Sequence, residues 1–266
     1  MKPMIFEKAT PESQGIDSGL LLKALEAAEN GAPRGIEIHD FLLLRHGKLV
    51  FEGYFAPYSA ETKHTIFSQT KSFMSTAVGL AIYADGLLKL EDEVIRFFPE
   101  VDTAAISERA KKMRVCDLLS MASGHDEDTT DVVIEQGPQA YFELPLPYER
   151  GEHFLYNTGN SILLGMIVER VTGKSMYAYL KERVFDKIGI TIEDGDWDRV
   201  RGVCCGAFGL HVKAMDVLRL ANLYLLGGKW EGEQILPAEK EDQQRRPENQ
   251  HLPLVEFRLF LSILDV

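Results

Sequence analysis

Cysteine is scarce in this chain. Cys116, Cys204 and Cys205 are an odd number without framework spacing, which excludes a disulfide-stapled scaffold and fits reduced thiols. The adjacent pair Cys204-Cys205 has no C-x-x-C or H-x-x-x-H motif beside it, so no metal centre is expected. Basic residues are outnumbered, 29 Lys and Arg against 41 Asp and Glu, for a formal net charge of −12. That speaks against a nucleic-acid partner, which calls for a basic patch, and leaves solubility as the plain meaning of the acidity. Long apolar runs are missing as well. The uncharged stretch Ser72 to Ala84 is too short to span a bilayer. The opening MKPMIFEKATPESQG has no apolar leader core. A cytoplasmic protein with no membrane partner is the expectation. No Gly-rich phosphate loop follows a strand, and no cofactor is expected.

What is present is an ordinary globular composition, 45% apolar and 26% charged over 266 residues, enough to bury a real core. Residues 16–30 carry Leu and Ala on one face, after Asp17 or Ser18 as cap and before Gly31, which predicts a helix. Phe41–Arg45 and Leu49–Phe55 read as strands flanking a short HGK turn, a β-hairpin. Residues 68–86 read as a buried helix ended by Gly86. LKLEDEVIRFFPE reads as a loop and a short helix stopped by Pro99, and RVCDLLSMASG as another short helix ended by Gly124. Residues 125–150 are rich in acids, Pro and Gly and read as one long connection, of the kind that borders functional sites. Three amphipathic helices are expected next: NSILLGMIVERVTG closed by Gly173, SMYAYLKERVFDKIG closed by Gly189, and AMDVLRLANLYLLGG. A hairpin followed by helices, without βαβ alternation, places the chain in the α+β class.

The chemistry-bearing stretch is TIFSQTKSFMSTAVGLAI, with Ser68 and Lys71 three apart. Alone, S-x-x-K is a weak signal, and the bland reading is a helix cap at Ser68 with a solvated Lys71. The context argues otherwise. Residues three apart on a helix share a face about 4.5 Å apart along the axis, and the segment that follows is small and apolar nearly all round, the mark of a buried helix. Desolvation there disfavours an ammonium and makes a usable base, while the helix N-terminus favours an anionic serine oxygen. A lysine that helps to activate a serine is the reading that follows. Tyr156 stands just before a helix start, after the long connection; taken alone it reads as a half-buried packing residue. HDEDTTD, residues 125–131, lacks the alternating oxygens and Gly bend of a Ca²⁺ loop.

Together these segments resemble the serine β-lactamase and penicillin-binding-protein-like family, in its class C branch with esterases and nylon-oligomer (aminohexanoate) hydrolases. The resemblance runs from about residue 10 to about residue 237. It rests on the Ser68–Lys71 segment, on ADGLLKLEDEVIRFFPE and MRVCDLLSMASGH, on FLYNTGNSILLGMIVERVTGKSMYAYLKERVFDKIGI, and on GAFGLHVKAMDVLRLANLYLLGGKWEGEQILP, in that order. It implies the β-lactamase/transpeptidase-like fold and an acyl-enzyme on Ser68, with Lys71 and Tyr156 sharing the proton traffic. The substrate it implies is a small ester or amide. The family motif Tyr-x-Asn reads Tyr156-Asn157-Thr158 here, so Thr158 holds the Asn position. Asn157, Thr158 and Asn160 are the candidate substrate-binding residues.

The family's third motif, Lys or His, then Thr or Ser, then Gly, is not found after Trp230. Residues 1–237 therefore read as an incomplete hydrolase domain and residues 238–266 as an atypical tail, either a divergent replacement or the end of a truncated gene, with truncation the favoured reading. Two consequences are expected: self-association through an open apolar edge of the hairpin, and, as the alternative to an enzyme, a catalytically impaired binding or scaffold protein.

Overall fold

Asp17 starts the first helix. In the computed structural model, which describes residues 6–30 and 37–238, its Oδ1 accepts the Gly19 N–H at 2.7 Å ahead of α1 (Ser18–Glu29). The predicted hairpin follows. β1 (Asp40–Arg45) and β2 (Lys48–Tyr54) are antiparallel, with Phe41 opposite Gly53 and Leu43 opposite Phe51. His46 and Gly47 both take positive φ, 50° and 75°, the turn whose twist suits a two-residue hairpin. β3 (His64–Thr65) leads through a tight 3-10 turn, Phe67–Gln69, into α2 (Thr70–Gly79). Thr70, Lys71, Phe73, Met74 and Ser75 through Val78 are all buried, so α2 is enclosed all round as its composition predicts. One wide π turn, Leu80–Ala84, extends it to Gly86 at φ 65°.

α3 (Glu108–Lys111) and α4 (Val115–Leu119) come next. The expected long connection over 125–150 is instead partly helical, with α5 (Thr130–Glu135) and α6 (Pro138–Glu143). The acids dominate its composition, yet Val133, Tyr141 and Phe142 are buried and give each short helix an anchor, and Pro138 starts α6 where a missing N–H costs nothing. α7 (Thr158–Thr172) departs from expectation in another way. It is buried without a break from Gly159 to Val168 rather than amphipathic, because α2, α4 and α5 all pack on it.

α8 (Met176–Leu180), a π turn (Lys181–Phe185) and α9 (Asp186–Ile188) form the next helical stretch, ended by Gly189 at φ 75°. Then come β4 (Arg199–Val200), β5 (Val203–Cys204), β6 (His211–Val212), α10 (Ala214–Leu225), β7 (Lys229–Trp230) and β8 (Glu233–Gln234). The strands pair antiparallel as β1-β2, β3-β6, β4-β5 and β7-β8, which bears out the α+β class. No helix among the described residues is long and apolar enough to cross a membrane. The expected tail, from residue 239 on, lies outside the described residues.

Candidate active site

Ser68 lies in the 3-10 turn ahead of α2, half-buried, and does not cap the helix: Gln69 is the N-cap residue and makes no side-chain cap bond. The Ser68 hydroxyl is thus free of the role that the bland reading gave it. The turn is held on both sides. Ile66 N–H donates to the Leu210 carbonyl at 3.0 Å, and β3 pairs with β6 through His64–Val212 and Thr65–His211. Between them Phe67 takes φ 44°, a strained conformation for a bulky residue. Lys71 is 3% exposed. Its Nζ donates to Ser68 Oγ at 3.2 Å and to the Ala207 carbonyl at 3.0 Å.

Ala207 is a partner that reading the sequence missed. Its place comes from glycine at a close approach. A Cβ on Gly206 would collide with the Ser161 carbonyl oxygen, and a Cβ on Gly165 would lie 3.0 Å from Gly206 N. These two glycines let the chain after β5 run against α7. Trp197 Nε1 donating to the Cys205 carbonyl at 2.8 Å, and Cys205 N–H donating to the Asp198 carbonyl at 2.9 Å, fix the approach. The run GAFG, residues 206–209, carried the signal, since paired glycines beside a buried helix mark a close backbone contact.

Across Lys71 stands Tyr156, its ring centroid 5.2 Å from Nζ. Leu155 N–H donates to the Met121 carbonyl at 2.9 Å, and Thr158 N–H donates to Asp128 Oδ2 at 2.6 Å, so the residues on either side of Tyr156 are pinned. Of the sequence-predicted residues, Ser68, Lys71 and Tyr156 come together and Thr158 is half-buried on the same rim. Asn157 and Asn160 do not face outward; both are fully buried. Asn157 caps α7, its Oδ1 accepting from Gly159 N–H at 3.1 Å, Thr129 N–H at 3.2 Å and Thr129 Oγ1 at 2.8 Å. Asn160 Oδ1 accepts from the Tyr141 hydroxyl at 2.7 Å, and its Nδ2 donates to Ser123 Oγ at 3.2 Å. As placed, their side chains bond to Thr129, Ser123 and Tyr141 inside the protein.

Beneath this rim His125 lies buried with Nδ1 3.0 Å from Ser123 Oγ, and burial pushes its pKa down to about 4. The thiols of Cys116 and Cys204 are pushed up to about 11 by burial, which keeps them protonated and unreactive. No group of three or more His, Cys, Asp or Glu among the described residues could hold a metal ion.

Comparison with known proteins locates this arrangement. A profile of the family described as Beta-lactamase matches residues 40–257, from β1 into the segment beyond residue 237. A protein of Salmonella agona (strain SL483) named for D-alanyl-D-alanine carboxypeptidase is 22% identical over 214 residues, 70% of this chain and 50% of the relative. This chain spans about half the length of such curated relatives. Among solved structures, EstCE1, described as a hydrolase with promiscuous acyltransferase activity, aligns with a TM-score of 0.65 at 19% identity, covering 83% of this chain and 75% of that one. A Bacillus anthracis protein named for 6-aminohexanoate-dimer hydrolase aligns with a TM-score of 0.60 at 21% identity, covering 75% and 57%. These likenesses show the β-lactamase/transpeptidase-like fold. With the family profile spanning most of the sequence and the serine, lysine and tyrosine gathered at one rim, the chain belongs to the beta-lactamase family.

Proposed function

We propose that this chain is a serine hydrolase that forms an acyl-enzyme on Ser68 and acts on a small ester or amide. The observation that supports it is buried Lys71, whose Nζ is hydrogen-bonded to two neutral oxygens, one of them Ser68 Oγ at 3.2 Å. Ser68 Oγ bonds to the substrate carbonyl carbon while its proton passes to the Lys71–Tyr156 pair, and the carbonyl electron pair moves onto oxygen. When the carbonyl re-forms, the bond to the leaving oxygen or nitrogen breaks. The leaving atom takes a proton from the Tyr156 hydroxyl, which Lys71 replenishes. Water then attacks the acyl-enzyme by the reverse sequence and frees Ser68. The similar proteins are named for a carboxypeptidase, a 6-aminohexanoate-dimer hydrolase and a hydrolase with acyltransferase activity; acyl chemistry as a class, and no single substrate, is what we carry over.

The test is labelling with a fluorophosphonate, read by mass spectrometry. The expected result is one adduct, on Ser68, absent from Ser68→Ala. An adduct that persists in that variant overturns the reading.

A further inference from the structure

Large apolar side chains are normally withdrawn from water, so the ones left outside are informative when they gather. Five aromatic side chains are exposed among the described residues, and three of them flank the site: Phe67 at 71%, Phe154 at 55% and Tyr156 at 41%. Phe67 is bonded to Ser68, and its left-handed backbone, φ 44°, is held by Ile66 N–H on the Leu210 carbonyl and Thr70 N–H on the Phe67 carbonyl. The fold thus maintains a strained residue that leaves an aromatic ring in solvent beside the nucleophile, and strain of this kind persists where it serves a function. On the other side of Lys71, Phe154 and Tyr156 are exposed while Leu155 between them is half-buried and tied to Met121.

The charge around this rim is acidic. Asp126, Glu127 and Asp128 are exposed, with Asp128 held by the Thr158 N–H and the Glu127 carbonyl accepting from Asn157 Nδ2 at 3.5 Å. Lys71 lies beneath, its Nζ engaged by Ser68 Oγ and the Ala207 carbonyl. Such a surface repels a carboxylate-bearing substrate and offers rings to a neutral one.

We propose that Phe67 and Phe154 are specificity residues: with the Tyr156 ring they form an aromatic cleft for the uncharged aryl or alkyl acyl group of the substrate, so that neutral apolar esters and amides are favoured over carboxylate-bearing ones. This rests on Ser68 being the acylated residue.

The test uses the full chain and three esters that share a leaving group: 4-nitrophenyl acetate, 4-nitrophenyl phenylacetate and 4-nitrophenyl hemisuccinate. The expected order of kcat/KM is phenylacetate, acetate, hemisuccinate. Phe154→Ala, and Phe67→Gly, which removes a ring and relaxes the backbone, should each lower the phenylacetate-to-acetate ratio about 10- to 100-fold, the range for an aromatic group losing its pocket. A ratio that stays constant in both variants, with circular dichroism showing both folded, overturns the cleft. A second measurement does not need turnover. Saturation-transfer NMR on Ser68→Ala with phenylacetanilide should show transfer to the aryl protons, lost when Phe154→Ala is added. No transfer overturns the cleft even if Ser68 labels. Transfer in a protein that never labels retains the cleft and overturns the hydrolase.

Discussion

Ser68, Lys71 and Tyr156 test as a unit. Ser68→Ala should abolish hydrolysis of a chromogenic ester and shift stability by no more than about 1 kcal/mol, since Ser68 caps nothing. Retained turnover in that variant would count against the assignment. Lys71→Ala and Tyr156→Phe should each lower kcat strongly, and the double variant should be little worse than either, because members of one proton-handling unit are non-additive. Losses that multiply would mean that one of the two only packs. Asn157 belongs to a different class. Its Oδ1 accepts from three donors in the interior, so Asn157→Ala should cost about 1–3 kcal/mol of stability through lost capping and unsatisfied N–H groups. Calorimetry should show a lower melting temperature. An unchanged melting temperature with a raised KM would return Asn157 to the substrate.

At the scale of elements, the lysine is placed by a helix and a loop that approach closely. α7 carries Gly165, the chain after β5 carries Gly206, and their contact sets the Ala207 carbonyl on Lys71. Gly206→Ala puts a methyl group against the Ser161 carbonyl oxygen. It should destabilise by about 1–3 kcal/mol, the usual cost of overpacking, and lower ester turnover as the carbonyl leaves Nζ. A crystal structure of the variant with the Ala207 carbonyl unmoved would refute that coupling. The hairpin and the ends of α2, α7 and α9 were legible in the sequence because glycines at Gly47, Gly86, Gly173 and Gly189 supply positive φ at each stop. α5 and α6 were not. Their anchors are one buried residue in α5 and two adjacent ones in α6, too few for a periodic signal over six positions each.

For the whole molecule, pH should act through His125. Burial holds its folded pKa near 4, below the ordinary 6.5, so the unfolded chain binds the extra proton between those values. Stability from this group is complete above about pH 6.5 and is lost as pH falls toward 4, by on the order of 3 kcal/mol at most. Melting temperatures from pH 7.5 to 4.5 should fall less steeply in His125→Gln than in the parent; parallel curves would remove His125 as the cause.

The sequence by itself determined the α+β class and the buried helical segment that brings Lys71 beside Ser68, because each is written in local order: spacing of three, an apolar run without charge, glycine at the stops; Tyr156, which alone reads as a packing residue, entered only through the family resemblance. The tertiary structure decided what those local signals could not contain. Whether Asn157 and Asn160 meet a substrate depends on Thr129, Ser123 and Tyr141, which are remote in sequence. Whether α7 shows a polar face depends on how many neighbours enclose it. The carbonyl on Lys71 comes from a residue 136 positions away. Burial and hydrogen-bond partnership are properties of packed neighbours, and only the folded chain specifies which neighbours those are.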